Sequence, residues 1–149
     1  ERKPRHITLE DMVGVTRWKM ARGVWRARNL ALVRSNDAAA VVEASTAALA
    51  AAPDPKGPIR ALAELKGVGP ATASAVAAAA HPELYPFFDD LVAAQVPGLG
   101  KVAFTLGYYL KYAEAIRERA RRLGDGWTPA SVERALWAHA GGKAGLRAG

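Results

Sequence analysis

Residues 61–90 read ALAELKGVGPATASAVAAAAHPELYPFFDD, and the architecture of the chain follows from how this stretch is parsed. A short amphipathic segment leads into Gly67-Val68-Gly69, an alanine-rich segment follows, and an apolar run ends on Asp89 and Asp90. Glycines at 67 and 69 can take φ > 0 and leave room for another backbone to come close. Pro70 suits the first position of a helix, where its missing N–H costs nothing. Leu62, Leu65, Val68, Ala73 and Val76 fall where two short helices crossing at the turn would bury them together. The second helix then offers free N–H groups and the positive end of its dipole at the hairpin tip, which favours a phosphate.

Outside this stretch, composition sets bounds. The chain has 149 residues, half of them hydrophobic and many of those alanine, so close-packed helices are expected rather than sheet. No β pattern or repeat is visible. The expectation is one all-α domain spanning 1–149, of about 7–8 helices around the hairpin at 58–80, with flexible basic tails at 1–6 and 141–149. A net charge of +7 points to an anionic partner. The absence of cysteine excludes disulfides, thiolate zinc sites and iron–sulfur clusters. No apolar run approaches the ~20 residues needed to cross a membrane, and Glu-Arg-Lys-Pro-Arg-His at the start is not a secretory signal. An intracellular monomer with no membrane contact is expected.

Along the chain, Thr8 and Asp11 form an approximate capping box for a first helix that runs to Arg22, where Gly23 interrupts. Residues 16–28 interleave Arg17, Lys19, Arg22, Arg26 and Arg28 with Trp18 and Trp25. Such mixing suits phosphate contacts beside a stacking surface; the alternative is two core tryptophans under a solvated basic face. A short helix at Leu30–Val33 and a third from Asp37 to Ala52, capped by Ser35 or Asn36, read as scaffold. Pro53 to Pro58 is a loop between two halves of one domain, because neither flank could bury a core alone. Phe87 and Phe88 are expected to pack inward and fix the acidic pair. Gly98-Leu99-Gly100-Lys101 lacks the spacing of a nucleotide loop. A long helix from Val102 to Leu123 carries a buried stripe, and Thr128-Pro129 starts the last helix.

Leu65-Lys66-Gly67-Val68-Gly69 with Thr72-Ala73 resembles the helix-hairpin-helix motif, and more narrowly that motif in the endonuclease III-like superfamily of DNA glycosylases. That superfamily carries a catalytic aspartate at a helix start beyond an apolar segment; here Asp89 and Asp90 follow Gly69 by 20 and 21 residues. The resemblance implies backbone contacts to duplex or damaged DNA from Lys66, Gly67, Val68, Gly69, Ala71 and Thr72. It implies base excision by Asp90 or Asp89. Gap-free spacing picks Asp89, and the alkylation-glycosylase pattern picks Asp90; Asp90 is preferred here because Asp89 can then cap the helix. Lyase-active members carry a lysine where this chain has Ala71, so hydrolysis alone is implied. No cofactor or metal ligand set is implied beyond a monovalent cation at the hairpin, and the resemblance implies a location in the nucleoid or nucleus.

Arg17, Trp18, Lys19, Arg22, Trp25, Arg26 and Tyr85 are further candidates for DNA or base contact, with Tyr108, Tyr112 and Trp137 as other stacking candidates. For all these aromatics the core is the competing location. The alternative function is a DNA-binding hairpin module without catalysis.

Overall fold

A computed structural model describes residues 2–142, all helix and loop with no strand among them. The helices are α1 (Leu9–Arg22), α2 (Ala27–Arg34), α3 (Ala38–Ala50), α4 (Gly57–Leu62), α5 (Pro70–Ala80), α6 (Asp90–Ala93), α7 (Leu106–Leu123) and α8 (Pro129–His139).

Their starts are set by local chemistry. Thr8 Oγ1 accepts from Asp11 N at 3.1 Å while Asp11 Oδ2 accepts from Thr8 N at 2.9 Å, so the box that opens α1 is complete. Thr128 and Ser131 open α8 in the same way, with Pro129 in the first turn. Asp37, not Ser35 or Asn36, caps α3 by accepting from Ala39 N. The longest helix begins at Leu106 rather than Val102, because Thr105 is the residue whose hydroxyl takes the Tyr108 N–H. Likewise α2 begins at Ala27, three residues before Leu30.

One core joins the two halves of the chain. Met12, Val33 and Val41 from the first half share it with Val76, Phe88, Tyr109, Tyr112, Ile116 and Val132. The loop expected at 53–58 instead ends at Lys56, since Gly57 and Pro58 already belong to α4, and it is internal to one domain. The segment before the acidic pair has no helix of its own, so side chains satisfy its backbone. Tyr109 Oη donates to the Pro86 carbonyl at 3.0 Å, Tyr112 Oη donates to the Phe87 carbonyl at 2.6 Å, and Ser74 Oγ accepts from Phe88 N at 2.8 Å. Buried backbone groups need such partners, and they fix where Asp89 and Asp90 emerge.

The expected flexible tails need correction where the structure describes them. Arg5 donates to the Ala80 carbonyl at 3.0 Å and Arg2 pairs with Asp11, so residues 2–6 are held against the body. At the other end Gly142 N donates to the Trp137 carbonyl at 2.9 Å, and Gly142 lies against the indole. Glu1 and residues 143–149 lie outside the described residues.

Candidate functional site

The hairpin between α4 and α5 uses its two glycines differently. Gly67 has φ +74°, and a Cβ there would lie 2.9 Å from Asn29 O and 2.9 Å from Val33 N. Only glycine lets α2 pack this close to the turn. Gly69, expected to share that freedom, instead has an ordinary extended conformation (φ −98°, ψ −173°). Nothing lies within 4 Å of where its Cβ would be. The fold does not demand glycine at 69, and its backbone faces open space.

Two asparagines tie the turn to the first half of the chain. Asn36 Oδ1 accepts from Lys66 N at 2.9 Å and Asn36 Nδ2 donates to Lys66 O at 2.9 Å. Asn29 Nδ2 donates to Gly67 O at 3.2 Å. No side chain caps α5, and Ala73 N is the first amide to bond back, to Gly69 O at 3.0 Å. The N–H groups of Ala71 and Thr72 thus belong to the set a helix leaves without internal partners. The side chains of Val68, Ala71 and Thr72 are buried, so only their backbone can meet a ligand.

Hairpin and acidic pair open onto one cleft of about 520 Å³. Gly67 to Thr72 form one wall; Lys19, Arg22 and Arg26 come from α1 and the loop after it; Phe87, Phe88, Asp89 and Asp90 form the floor, with Phe104 at the edge. Most of the expected site residues are brought together there. Arg17, Trp18, Trp25 and Lys66 are exposed but do not line it. Trp18 and Trp25 are 48% and 57% exposed, which rules out the core location for both. Tyr85 must be withdrawn as a contact residue. Its ring is fully buried, its hydroxyl donates to the Asp54 carbonyl at 2.8 Å, and Arg117 stacks over it. Tyr112 is equally buried, its hydroxyl committed to the Phe87 carbonyl.

The two aspartates divide their roles by geometry. Asp89 is the N-cap of α6: its Oδ1 accepts from Val92 N at 3.1 Å. Its other oxygen, Oδ2, stands 3.7 Å from Arg22 Nε. Burial raises the Asp89 pKa, opposed by the cap bond and Arg22 and reinforced by the charge of Asp90. Asp90 is the first residue of α6 and exposed in the cleft, with Oδ1 accepting from Leu91 N at 2.9 Å. Across the cleft, burial and then the charge of Arg26 lower the Lys19 pKa.

Beneath the pair, Arg22 is held by Glu133, a residue that sequence reading did not single out. Its Nη1 donates to Glu133 Oε1 at 2.9 Å, and its Nη2 pairs with Oε2. The guanidinium lies 4.4 Å from the Trp137 ring centre, 5.0 Å from Phe87 and 5.5 Å from Trp18. Glu133 is 1% exposed, and burial pushes its pKa to about 7 against the pull of Arg22. A signal for it existed: Glu133 interrupts the apolar side of α8 one turn before Leu136 and Trp137. Asn29, Asn36 and Phe104 carried no comparable signal, since partners and exposure decide their roles. Among the described residues no group of His, Cys, Asp and Glu could hold a metal ion.

No family model, no curated protein and no solved structure matches the chain.

Proposed function

We propose that this protein binds DNA through the hairpin and hydrolyses the N-glycosidic bond of an extruded, damaged nucleotide, as a monofunctional base-excision glycosylase does. One observation carries the reading: a glycine turn with an uncapped helix start and an exposed carboxylate line the same cleft. Backbone N–H groups at Gly69, Ala71 and Thr72 hold a phosphate next to the nucleotide, at the positive end of the α5 dipole. Asp90 faces the sugar. Its carboxylate stabilises the positive charge that develops there as the base leaves, and orients the water whose oxygen bonds to C1′. The departing base takes up the proton. Asp89 caps α6 and so aims Asp90.

The net charge of +7 supports the choice of DNA as partner. That partner implies a nucleoid or nuclear location. No helix among the described residues is long and apolar enough to cross a membrane.

A panel of duplexes bearing alkylated, deaminated or oxidised bases tests the reading, using the wild-type chain and Asp90→Asn. The variant should bind every duplex as wild type does and lose base release by about 100-fold or more. If wild type binds with a steep salt dependence yet releases no base, the protein is a non-enzymatic hairpin module. If affinity is flat with salt, DNA is not the partner.

A further inference from the structure

Arg22 faces two carboxylates on different elements. Both its Nη atoms are bound by Glu133 of α8, while its Nε stands 3.7 Å from Asp89 Oδ2. That separation is too long for a hydrogen bond. The Nε is buried and has no hydrogen-bond partner among the described residues. Trp137, Phe87 and Trp18 bracket the guanidinium. One cation, only 8% exposed, thus serves two carboxyl groups and satisfies one of them fully.

We propose that Glu133 is a positioning residue for the acidic pair: it competes with Asp89 for Arg22 and thereby sets how firmly Arg22 holds the side chain that caps α6 and aims Asp90. The part that concerns Asp90 rests on the function proposed above; the competition itself does not.

The physics is that of two like charges sharing one counter-charge in a dry site. When Glu133 is ionised it commands both Nη donors, and Asp89 keeps only a distant Nε. When Glu133 takes a proton, the whole charge of Arg22 turns to Asp89, and a small shift closes the Nε contact. The groups facing Glu133 are Arg22 from α1, Asp89 at the start of α6, Tyr112 from α7 and Arg134 from its own helix. Burial keeps Tyr112 neutral. The ionised Asp89 pushes Glu133 upward, and Arg22 and Arg134 pull it down. The switch therefore falls near neutral pH.

Carboxyl-carbon and arginine Nε–H NMR signals, followed against pH in the whole chain, test this. In wild type the Asp89 carboxyl and the Arg22 Nε–H should both move again at the pH where Glu133 titrates. Glu133→Gln should abolish that second step while Asp89 still shows its own titration. Asp89→Asn, which keeps the cap, should lower the Glu133 midpoint by on the order of one unit. Flat Asp89 and Arg22 signals through the Glu133 titration would overturn the proposal, as would a second step that persists in Glu133→Gln. Should Glu133→Gln fail to fold, the Asp89→Asn arm decides: an unmoved Glu133 midpoint sinks it. Base release adds an independent reading, its pH profile losing the corresponding inflection in Glu133→Gln. A wild-type protein that releases no base refutes the proposed function and leaves the NMR outcome to judge the competition.

Discussion

The side-chain amide of Asn36 pairs with the backbone of Lys66 as a neighbouring strand would, accepting its N–H at 2.9 Å and donating to its carbonyl at 2.9 Å. Asn36 is 8% exposed, so neither bond is readily replaced by water. Asn36→Ala should therefore destabilise the protein by roughly 1–3 kcal/mol, the cost of leaving buried polar groups unpaired. Asn36→Asp keeps the acceptor but sets a carboxylate oxygen against the Lys66 carbonyl in a buried site, and should cost at least as much as alanine at neutral pH. Urea denaturation measures the loss. Amide exchange should speed up first at residues 66–69, and a uniform change across the molecule would show that Asn36 does not anchor the turn.

Gly67 and Gly69 make opposite predictions. At Gly67 both the positive φ and the 2.9 Å approach to Asn29 O and Val33 N forbid a side chain, so Gly67→Ala should cost well over ~1 kcal/mol. Gly69 sits at the N-cap of α5 in extended backbone with open space around it. A serine there can cap the helix, so Gly69→Ser should leave the melting temperature unchanged or slightly higher. Its hydroxyl would also occupy the amides proposed to hold a phosphate, and DNA affinity should then drop about 10-fold or more, one lost charge-assisted contact. A folded Gly69→Ser protein that binds DNA like wild type would remove the hairpin from the interface.

How far the sequence could be read follows from the range of the interactions involved. Thr8 with Asp11, Pro70 after the glycine turn, Asp89 capping α6 and Thr128 before Pro129 are local signals, and each is where it was expected. The all-helical class and the inward packing of Phe87 and Phe88 were legible for the same reason, being matters of pattern. What escaped depends on distant partners. Asn36 reaches 30 residues along the chain, Asn29 reaches 38, and Arg22 reaches 111 to Glu133. Aromatic identity was equally silent about orientation: Trp18 and Trp25 face solvent while Tyr85 and Tyr112 are buried with their hydroxyls committed. Gly69 sits in extended backbone because its residue type allows positive φ without requiring it.

If the proposed glycosylase reading holds, the resemblance puts Ala71 where lyase-active members of that superfamily carry a lysine, so the wild-type chain incubated with an abasic duplex and borohydride should give no trapped adduct. Lys19 makes this a sharp test, since it lines the same cleft and burial lowers its pKa. A desolvated lysine is the kind of amine that attacks an aldehyde. Recovery of an adduct that disappears in Lys19→Met would replace hydrolysis alone with an amine supplied by α1.

Stability should fall as pH rises through neutrality, and Glu133 is the reason. Its pKa goes from an ordinary 4.5 to about 7 in the folded chain, mainly through burial. A carboxyl raised on folding binds its proton more tightly in the native state, so each step in pH between those values favours the unfolded chain. The full difference is roughly 3 kcal/mol, complete above the folded value. Asp89, also raised, acts in the same direction. Asp11, Asp54 and Glu118 are lowered by hydrogen bonds and act oppositely, but only at pH below their ordinary values of 3.8 to 4.5, outside the window. Urea unfolding at pH 5.5 and pH 8 separates these effects. Wild type should be the less stable at pH 8, whereas Glu133→Gln, weakened overall by losing the carboxylate that binds both Nη groups of Arg22, should lose most of that slope. Equal wild-type stability at the two pH values, or an unchanged slope in Glu133→Gln, would mean that Glu133 stays ionised in the fold and that Arg22 holds it more strongly than its burial opposes.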